Sequence, residues 1–266
     1  MTEKARILLI SITIILQSCE EMFDYSPYAI CFNDENENVN QRNINNLTHN
    51  NDTITIAFTG DSHRFYDDLE LFVDKVNEDH SVDFVIHVGD LADFGMPKQY
   101  IWGNAFLSKL TMPYFVVIGN HDLAANGSAA YQRMFGSLNF SFIYESVKFV
   151  FINTNSREYK FGINIPDISW LDEQLRPCSD FSRVIVIFHV PPMDADFNFG
   201  LEQEFHETLA LYNNVLFCVH GHLHNFEIYE PYNDSITYLN VYGVEHKKFN
   251  KVTIVNFQFD VETVIL

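Results

Sequence analysis

Eight polar side chains in five short segments of this 266-residue chain carry groups that bind metals or move protons. In four of the segments a glycine directly precedes the first of these side chains, which permits tight turns and close backbone approach. Carboxylate, imidazole and amide oxygen together suit borderline divalent or trivalent metals, not a thiolate site. The set predicts a site for two metal ions, made of Asp61, His63, Asp90, Asn120, His121, His189, His222 and His224.

Short apolar runs directly precede these segments and predict the strands that position them. The runs are rich in Val, Ile and Phe, as expected for strands that are buried on both faces. Because the carboxyl ends of strands in an α/β sheet form the ligand crevice, the five loops should bring their polar side chains to one edge. The predicted strands span residues 54–58, 84–88, 114–118, 149–152, 184–188 and 215–219.

Helix-length amphipathic stretches separate several of these strands. Alternating strands and helices predict right-handed crossovers and substantially parallel sheets. After residue 226 the apolar runs have no helix between them, which predicts a closing antiparallel meander. The predicted helices span 66–77, 98–109, 128–135, 168–175 and 201–212, and the meander strands span 236–242, 252–257 and 261–266.

Spacing within the segments adds detail on the assumption that they are extended. Residues i and i+2 of an extended segment point the same way, so Asp61 and His63 can converge, as can His222 and His224. Neighbouring residues point to different sides, which would keep His121 away from the metal bound by Asn120.

With these five segments, hereafter the five motif blocks, the chain resembles the calcineurin-like metallophosphoesterase superfamily from about residue 54 to about residue 245. The resemblance implies a four-layer α/β/β/α sandwich with two central mixed β-sheets and a binuclear metal site at the strand C-terminal edge. It implies two divalent or trivalent metal ions, with Mn, Fe or Zn expected. It also implies a ligand set: Asp61, His63 and His224 for the first metal, Asn120, His189 and His222 for the second, and Asp90 bridging both.

The same resemblance implies hydrolysis of phosphate mono- or diesters. A hydroxide that bridges the metals would attack phosphorus, and His121 would protonate the leaving group, with Asp122 orienting it. Selectivity would lie in loops such as 193–204, so the identity of the small phosphate-ester substrate stays open. A different class of function also stays open, namely a surface lipoprotein that serves as a binding module with weak or vestigial phosphoesterase activity.

The N-terminal region predicts export and a lipid anchor. Lys4 and Arg6 precede a ten-residue apolar run that is too short to span a bilayer. The segment ending at Cys19 resembles a bacterial lipoprotein signal, which implies a signal peptide over residues 1–18 and lipidation of Cys19. We therefore expect the bacterial cell envelope, at the outer membrane or the cell surface. An ordinary signal peptide is the alternative.

Composition predicts one enzyme-sized domain behind a tether. Residues 33–52 are dominated by Asn, Asp and Glu, so residues 19–52 are predicted to be a flexible tether and residues 53–266 the domain. Hydrophobic residues make up 47% of the chain, enough for a sizeable core. The formal net charge of -20 argues against a nucleic-acid-binding surface, so no nucleic-acid partner is expected.

Several other residues have more than one interpretation. His87 and His220 lie in predicted strands and are expected to be packed histidines, not ligands. Asp93 could hydrogen-bond a ligand histidine or merely begin the next loop. Cys218 is predicted to be a buried free thiol, and His246 lies in a loop that could reach the site.

Overall fold

A computed structural model of the protein describes residues 26–48, 53–162 and 164–266. The predicted signal peptide and Cys19 lie outside the described residues. Within the described ranges, no helix has both the length and the apolar character needed to cross a bilayer. The helices are α1 (Val39–Asn45), α2 (Tyr66–Asn77), α3 (Pro97–Leu107), α4 (Gly127–Phe135), α5 (Ile168–Leu175) and α6 (Phe199–Leu211).

The described strands form two mixed sheets. The first has the order β11-β10-β1-β2-β3, and the second has the order β4-β5-β6-β7-β9-β8. The strands are β1 (Thr53–Thr59), β2 (Phe84–His87), β3 (Tyr114–Val116), β4 (Phe140–Tyr144), β5 (Val147–Phe151), β6 (Arg183–Ile187), β7 (Val215–His220), β8 (Glu227–Tyr229), β9 (Tyr238–Asn240), β10 (Lys248–Val255) and β11 (Gln258–Ile265).

Three hydrophobic clusters separate four layers, which confirms the predicted α/β/β/α sandwich. Alternate residues of a strand face opposite sides of its sheet, and β1 shows this directly. Ile56 and Phe58 pack between the two sheets with Phe149 and Ile187 of the second sheet. Ala57 packs on the other side, against α2 and its neighbours. A third cluster lies between the second sheet and the helices α5 and α6.

Parallel pairing dominates where it was predicted, and the closing strands pair antiparallel as predicted but are divided between the two sheets instead of forming one meander. β1, β2 and β3 pair in parallel, as do β5, β6 and β7. The last two strands form an antiparallel hairpin that extends the first sheet beside β1. β8 and β9 instead join the second sheet, where β9 pairs in parallel with β7. The apolar runs alone did not indicate which sheet each strand would join.

The predicted tether is also corrected over the residues that are described. Residues 34–36 form a 3₁₀ helix and α1 follows. Val39 of α1 is buried in the hydrophobic cluster that also contains Ala57 of β1. The Asn40 side chain donates one hydrogen bond to the Val116 carbonyl and accepts one from its amide, each at 3.0 Å. β3 is the edge strand of its sheet, so its backbone groups need partners, and Asn40 supplies them.

A second contact fixes the beginning of this segment. The Asn126 amide group donates a 2.7 Å hydrogen bond to the Tyr28 carbonyl. Asn126 lies at the start of α4, just after the segment that carries His121. Residues 26–48 are therefore docked on the domain beside the loop that leads to the predicted site.

Candidate metal centre

Loops from both sheets meet at one edge of the sandwich, as predicted. Asp61, Asp90 and Asn120 follow the parallel strands of the first sheet, and His189 and His222 follow β6 and β7 of the second. All five are buried or nearly so. Both sheets thus contribute side chains to one cluster, which divides by distance into two groups.

The first group contains Asp61, His63 and His224. One ligand atom from each lies within 4.8 Å of the other two. His224 directs Nε2 toward Asp61, 3.5 Å from Oδ1. The rings of His63 and His224 stack with their centroids 5.6 Å apart. The three side chains that were predicted to hold the first metal are therefore brought together.

The second group contains Asn120, His189 and His222, whose ligand atoms lie closer together than those of the first. His189 Nε2 lies 3.0 Å from Asn120 Oδ1, and His222 Nδ1 lies 3.1 Å from the same oxygen. His189 and His222 meet edge to face, with centroids 5.3 Å apart. These three side chains are the ones predicted for the second metal, and they present two nitrogens and one oxygen to a common point.

Asp90 lies between the two groups. Its Oδ2 is 3.8 Å from His63 Nε2 on one side and 3.1 Å from His189 Nε2 on the other. The other oxygen, Oδ1, accepts a 2.8 Å hydrogen bond from the His121 amide. Its position is the one that a carboxylate shared by two cations would occupy.

Five of the seven predicted ligands have left-handed backbone conformations, although none is glycine. Such conformations cluster at functional sites, and Asp, Asn and His tolerate them better than most residues. The predicted convergence is therefore right, but the extended backbone assumed for it is wrong. Turns, not alternating strand geometry, aim the side chains. The φ angles are 51° at Asp61, 43° at His63, 57° at Asp90, 73° at His222 and 62° at His224.

Two glycines leave the space that the carboxylates fill. A Cβ placed on Gly119 would lie 2.1 Å from Asp90 Oδ1, and one on Gly221 would lie 2.7 Å from Asp61 Oδ2. Both distances are far below van der Waals contact, so any larger residue would displace the carboxylate. The sequence signal of a glycine beside each polar residue thus has a steric cause.

The centre has the electrostatic character of a cation site. Asp61 Oδ2 is buried without a hydrogen-bond partner, and burial raises the pKa of Asp61 to about 6. Burial alone would lower the pKa of His189, yet the Asp90 and Asp61 carboxylates raise it to about 10. Positive charge is therefore favoured among these groups. An orphaned carboxylate oxygen and a mixed nitrogen and oxygen donor set fit the two metal ions that the fold implies.

His121 lies at the exposed rim of the first group. Its ring packs edge to face on His63, with centroids 4.6 Å apart, and its side chain is 45% exposed. Asn120 has helical backbone angles and His121 begins a 3₁₀ turn, so the extended-loop argument for separating the two is wrong. One ring nitrogen of His121 also lies within 4.8 Å of ligand atoms of His63 and Asp90.

The partner predicted for His121 was wrong. His121 Nδ1 is 2.9 Å from the Asp93 carbonyl oxygen and 3.5 Å from the Asp93 carboxylate. Asp93 is therefore the residue that orients this ring. Because Nδ1 has an oxygen partner, the protonated ring can present Nε2–H toward a bound substrate.

The Asp122 side chain hydrogen-bonds backbone amides instead of His121. Its carboxylate is buried and accepts hydrogen bonds from the amides of Leu91, Ala92 and Gly119, at 3.3, 2.8 and 2.9 Å. It therefore ties the loop after β2 to the loop after β3. Burial and the neighbouring Asp90 raise the pKa of Asp122 to about 7, even though these amides work in the other direction.

His87 and His220 are packed histidines, as predicted from their strands. His87 is buried, with Nε2 2.9 Å from Ser62 Oγ. His220 is buried and its Nε2 lies 2.8 Å from the Tyr229 hydroxyl. Burial lowers the pKa of each to about 3, so both are neutral packing residues. Cys218 is a buried free thiol.

The chain belongs to the calcineurin-like phosphoesterase family, whose pattern matches residues 54–226. A probable glycerophosphodiester phosphodiesterase from Arcobacter nitrofigilis is 27% identical over 156 residues, covering 53% of this chain and 56% of the relative. A 3′,5′-cyclic-nucleotide phosphodiesterase from Nostoc is 24% identical over 150 residues, covering 54% and 56%. The chain thus spans a little over half the length of these relatives.

Solved structures show the same fold. A dimetal phosphatase from Danio rerio superposes with a TM-score of 0.65 at 13% identity, covering 79% of this chain and 95% of that one. GAP50, described as the anchor in the inner membrane complex of Plasmodium, superposes with a TM-score of 0.60 at 15% identity, covering 80% and 84%. These structures share the fold of this chain; the family match supports a hydrolase, and the clustered histidine and carboxylate side chains could hold metal ions.

Proposed function

We propose that this protein hydrolyses phosphodiesters, with phosphomonoesters as poorer substrates. One observation supports the proposal: two donor groups, each built from loops of both sheets, meet at one edge with Asp90 between them. Asp61, His63 and His224 would hold one metal, and Asn120, His189 and His222 the other. When bound, such metals lower the pKa of water and neutralise charge on the phosphoryl oxygens.

The remaining chemistry falls to His121. An alkoxide leaves phosphorus readily only if it is protonated as the bond breaks, and a positioned imidazole supplies that proton. Asp93 holds Nδ1 of His121, so Nε2 is the atom that donates. The ring lies at the rim beside His63, where a leaving group can approach it from solvent.

Charge around the centre favours diesters over monoesters. A diester carries one negative charge, whereas a monoester carries about −1.5 to −2 at neutral pH. Carboxylates of Asp93, Asp194 and Glu245 surround the donor groups. Arg64 and Arg157 are each paired with a carboxylate in this region, Asp93 and Asp196 respectively, which reduces the positive charge they offer to a substrate. The more highly charged monoester is therefore the less favoured ligand.

A groove beside the metal ligands offers room for the second ester group. It has a volume of about 270 Å³ and begins at the segments that carry His189, His222 and His224. Met193 and Leu223 in its wall are 64% and 41% exposed. An apolar alkyl or aryl group would bury this surface. The other lining residues are Pro191, Pro192, Asp194, Glu227, Tyr229 and Pro231.

A substrate panel tests the proposal. Bis-p-nitrophenyl phosphate should be hydrolysed with a higher kcat/KM than p-nitrophenyl phosphate, since only the diester has one charge and a second apolar group. Chelation followed by dialysis should abolish both activities, and Mn should restore them better than Mg. Hydrolysis that persists after complete chelation would contradict a metal-dependent reaction. If no ester is hydrolysed with Mn, Fe or Zn, a binding module becomes the better account.

We also propose that the protein is anchored in the bacterial cell envelope by lipid on Cys19. The motif at the end of the apolar N-terminal run supports this. Replacing Cys19 with alanine should release the protein from the membrane fraction or block its maturation, because the lipid attaches to that sulfur. Membrane partition and intact mass provide the measurement. Unchanged partition, with no diacylglyceryl mass on the wild type, would contradict the anchor.

A further inference from the structure

Three of the four histidines predicted to bind metal have one nitrogen facing the donor cluster and the other close to an oxygen. His189 presents Nε2, and its Nδ1 lies 2.8 Å from the Val88 carbonyl. His63 also presents Nε2, but its buried Nδ1 lies 3.7 Å from Asp93 and has no hydrogen-bond partner. An oxygen at the distal nitrogen fixes the tautomer and ring orientation of a metal-binding histidine.

The other two histidines complete the pattern with carboxylates outside the five motif blocks. His224 presents Nε2 to the cluster, and its Nδ1 is hydrogen-bonded to Glu245. His222 is turned the other way, with Nδ1 on Asn120 and Nε2 3.3 Å from Asp194 Oδ1. Each donor group therefore has one carboxylate beside a ligand histidine, Glu245 beside His224 and Asp194 beside His222.

We propose that Asp194 and Glu245 are positioning residues, Asp194 for the second metal through His222 and Glu245 for the first through His224. This rests on the proposed metal-dependent function. Neither carboxylate is a predicted ligand. Each acts by holding the N–H of a ligand ring, so that the opposite nitrogen keeps its lone pair for the metal.

The surroundings of Asp194 favour this role. Its Oδ1 accepts a 2.8 Å hydrogen bond from the Asp196 amide, which orients the carboxylate. Asp196 is 3.9 Å from His222 Nε2, but both of its oxygens bond to Arg157 at 2.7 Å. The guanidinium thereby neutralises Asp196 and leaves Asp194 as the closer carboxylate to the ring.

The surroundings of Glu245 are equally constrained. The residue lies in a 3₁₀ turn between β9 and β10, beyond the segment that the family pattern matches. A Cβ on Gly243 would lie 2.4 Å from Glu245 Oε2, so glycine is required for the carboxylate to fold back toward His224. The bridge between Gly60 and Gly243 holds this turn beside the loop that carries Asp61.

Metal titration of the full chain tests the assignment. Metal-free wild type should bind two Mn ions by calorimetry and show a spin-coupled pair by EPR. Asp194→Asn should lower the affinity for the second Mn ion about 10–100-fold and leave the affinity for the first unchanged. Glu245→Gln should do the opposite, lowering only the affinity for the first ion. Asp194→Glu should recover part of the affinity. Asp234→Asn is the matched control, because Asp234 lies 3.4 Å from His206, away from the proposed metal ligands.

Double mutants establish which site each carboxylate serves. Adding Asp194→Asn to His222→Ala should cause no further loss of affinity, whereas adding it to His224→Ala should cause the full loss. Melting of the metal-free variants should match the wild type, which separates positioning from folding. If both single variants bind both ions with wild-type affinity, or if both lose affinity at the same site, the positioning role is overturned but the proposed function is not. A wild type that binds no Mn would overturn the proposed function with it.

Discussion

Replacing Asp90 with alanine should remove metal from both positions and abolish hydrolysis. Asp90 Oδ2 is the atom that faces His63 and His189 at once, so its loss takes a donor from each group. The two groups would also lose the negative charge that lies between them. The loss in metal affinity should exceed the roughly 10–100-fold expected when a residue that only hydrogen-bonds a metal ligand is removed, and it should apply to both ions.

Metal analysis after equilibration with excess Mn measures this effect. His224→Ala is the matched variant, because it removes a donor from the first group only and should retain the second ion. The comparison therefore separates a shared ligand from a terminal one. An Asp90→Ala protein that holds close to two ions per chain would show that Asp90 is not shared.

The second large effect concerns the leaving group. His121→Ala should keep both metals yet lose roughly 10²–10⁴-fold in rate on alkyl esters, whose leaving groups need a proton. On p-nitrophenyl esters the loss should be much smaller, because nitrophenolate leaves without protonation. The measurement is kcat on paired alkyl and aryl diesters, with metal content determined on the same samples.

Asp93→Asn is the informative companion to His121→Ala. It keeps the carbonyl that bonds His121 Nδ1 but removes the charge 3.5 Å away, so it should reduce the alkyl rate less than His121→Ala does. Loss of metal in His121→Ala would instead make His121 a ligand, a role that its distance to His63 and Asp90 permits. Equal losses on alkyl and aryl esters would likewise contradict proton donation.

Periodicity and spacing predicted the parts of this fold that depend on local order. The bounds of α2 and α5 match the predicted 66–77 and 168–175, because both have clear apolar faces and strand-like runs on either side. The edge at which the ligands meet was also predictable, since each polar block directly follows a buried strand. The chemistry of the centre is thus encoded in short segments.

The sequence did not predict features that depend on long-range partners. Asp194 and Glu245 belong to no block and are assigned only by the rings they face. Asp122 was paired with its neighbour in sequence, whereas its bonds reach back to Leu91 and Ala92. The polar composition of residues 33–52 concealed the buried Val39 and the two bonds of Asn40 to an edge strand.

If the proposed lipid anchor on Cys19 holds, the docked segment at residues 26–48 limits the distance between the membrane and the edge that carries the candidate metal centre. A free tether from Cys19 to Thr53 could extend about 110–120 Å at roughly 3.3–3.6 Å per residue. Since Tyr28 is bonded to Asn126, only the stretch from Cys19 to Tyr28 remains, with a reach of about 30 Å. Asn126 follows the turn that bears His121. If Cys19 carries the proposed lipid, the loop that bears His121 would stay within roughly that reach of the headgroups.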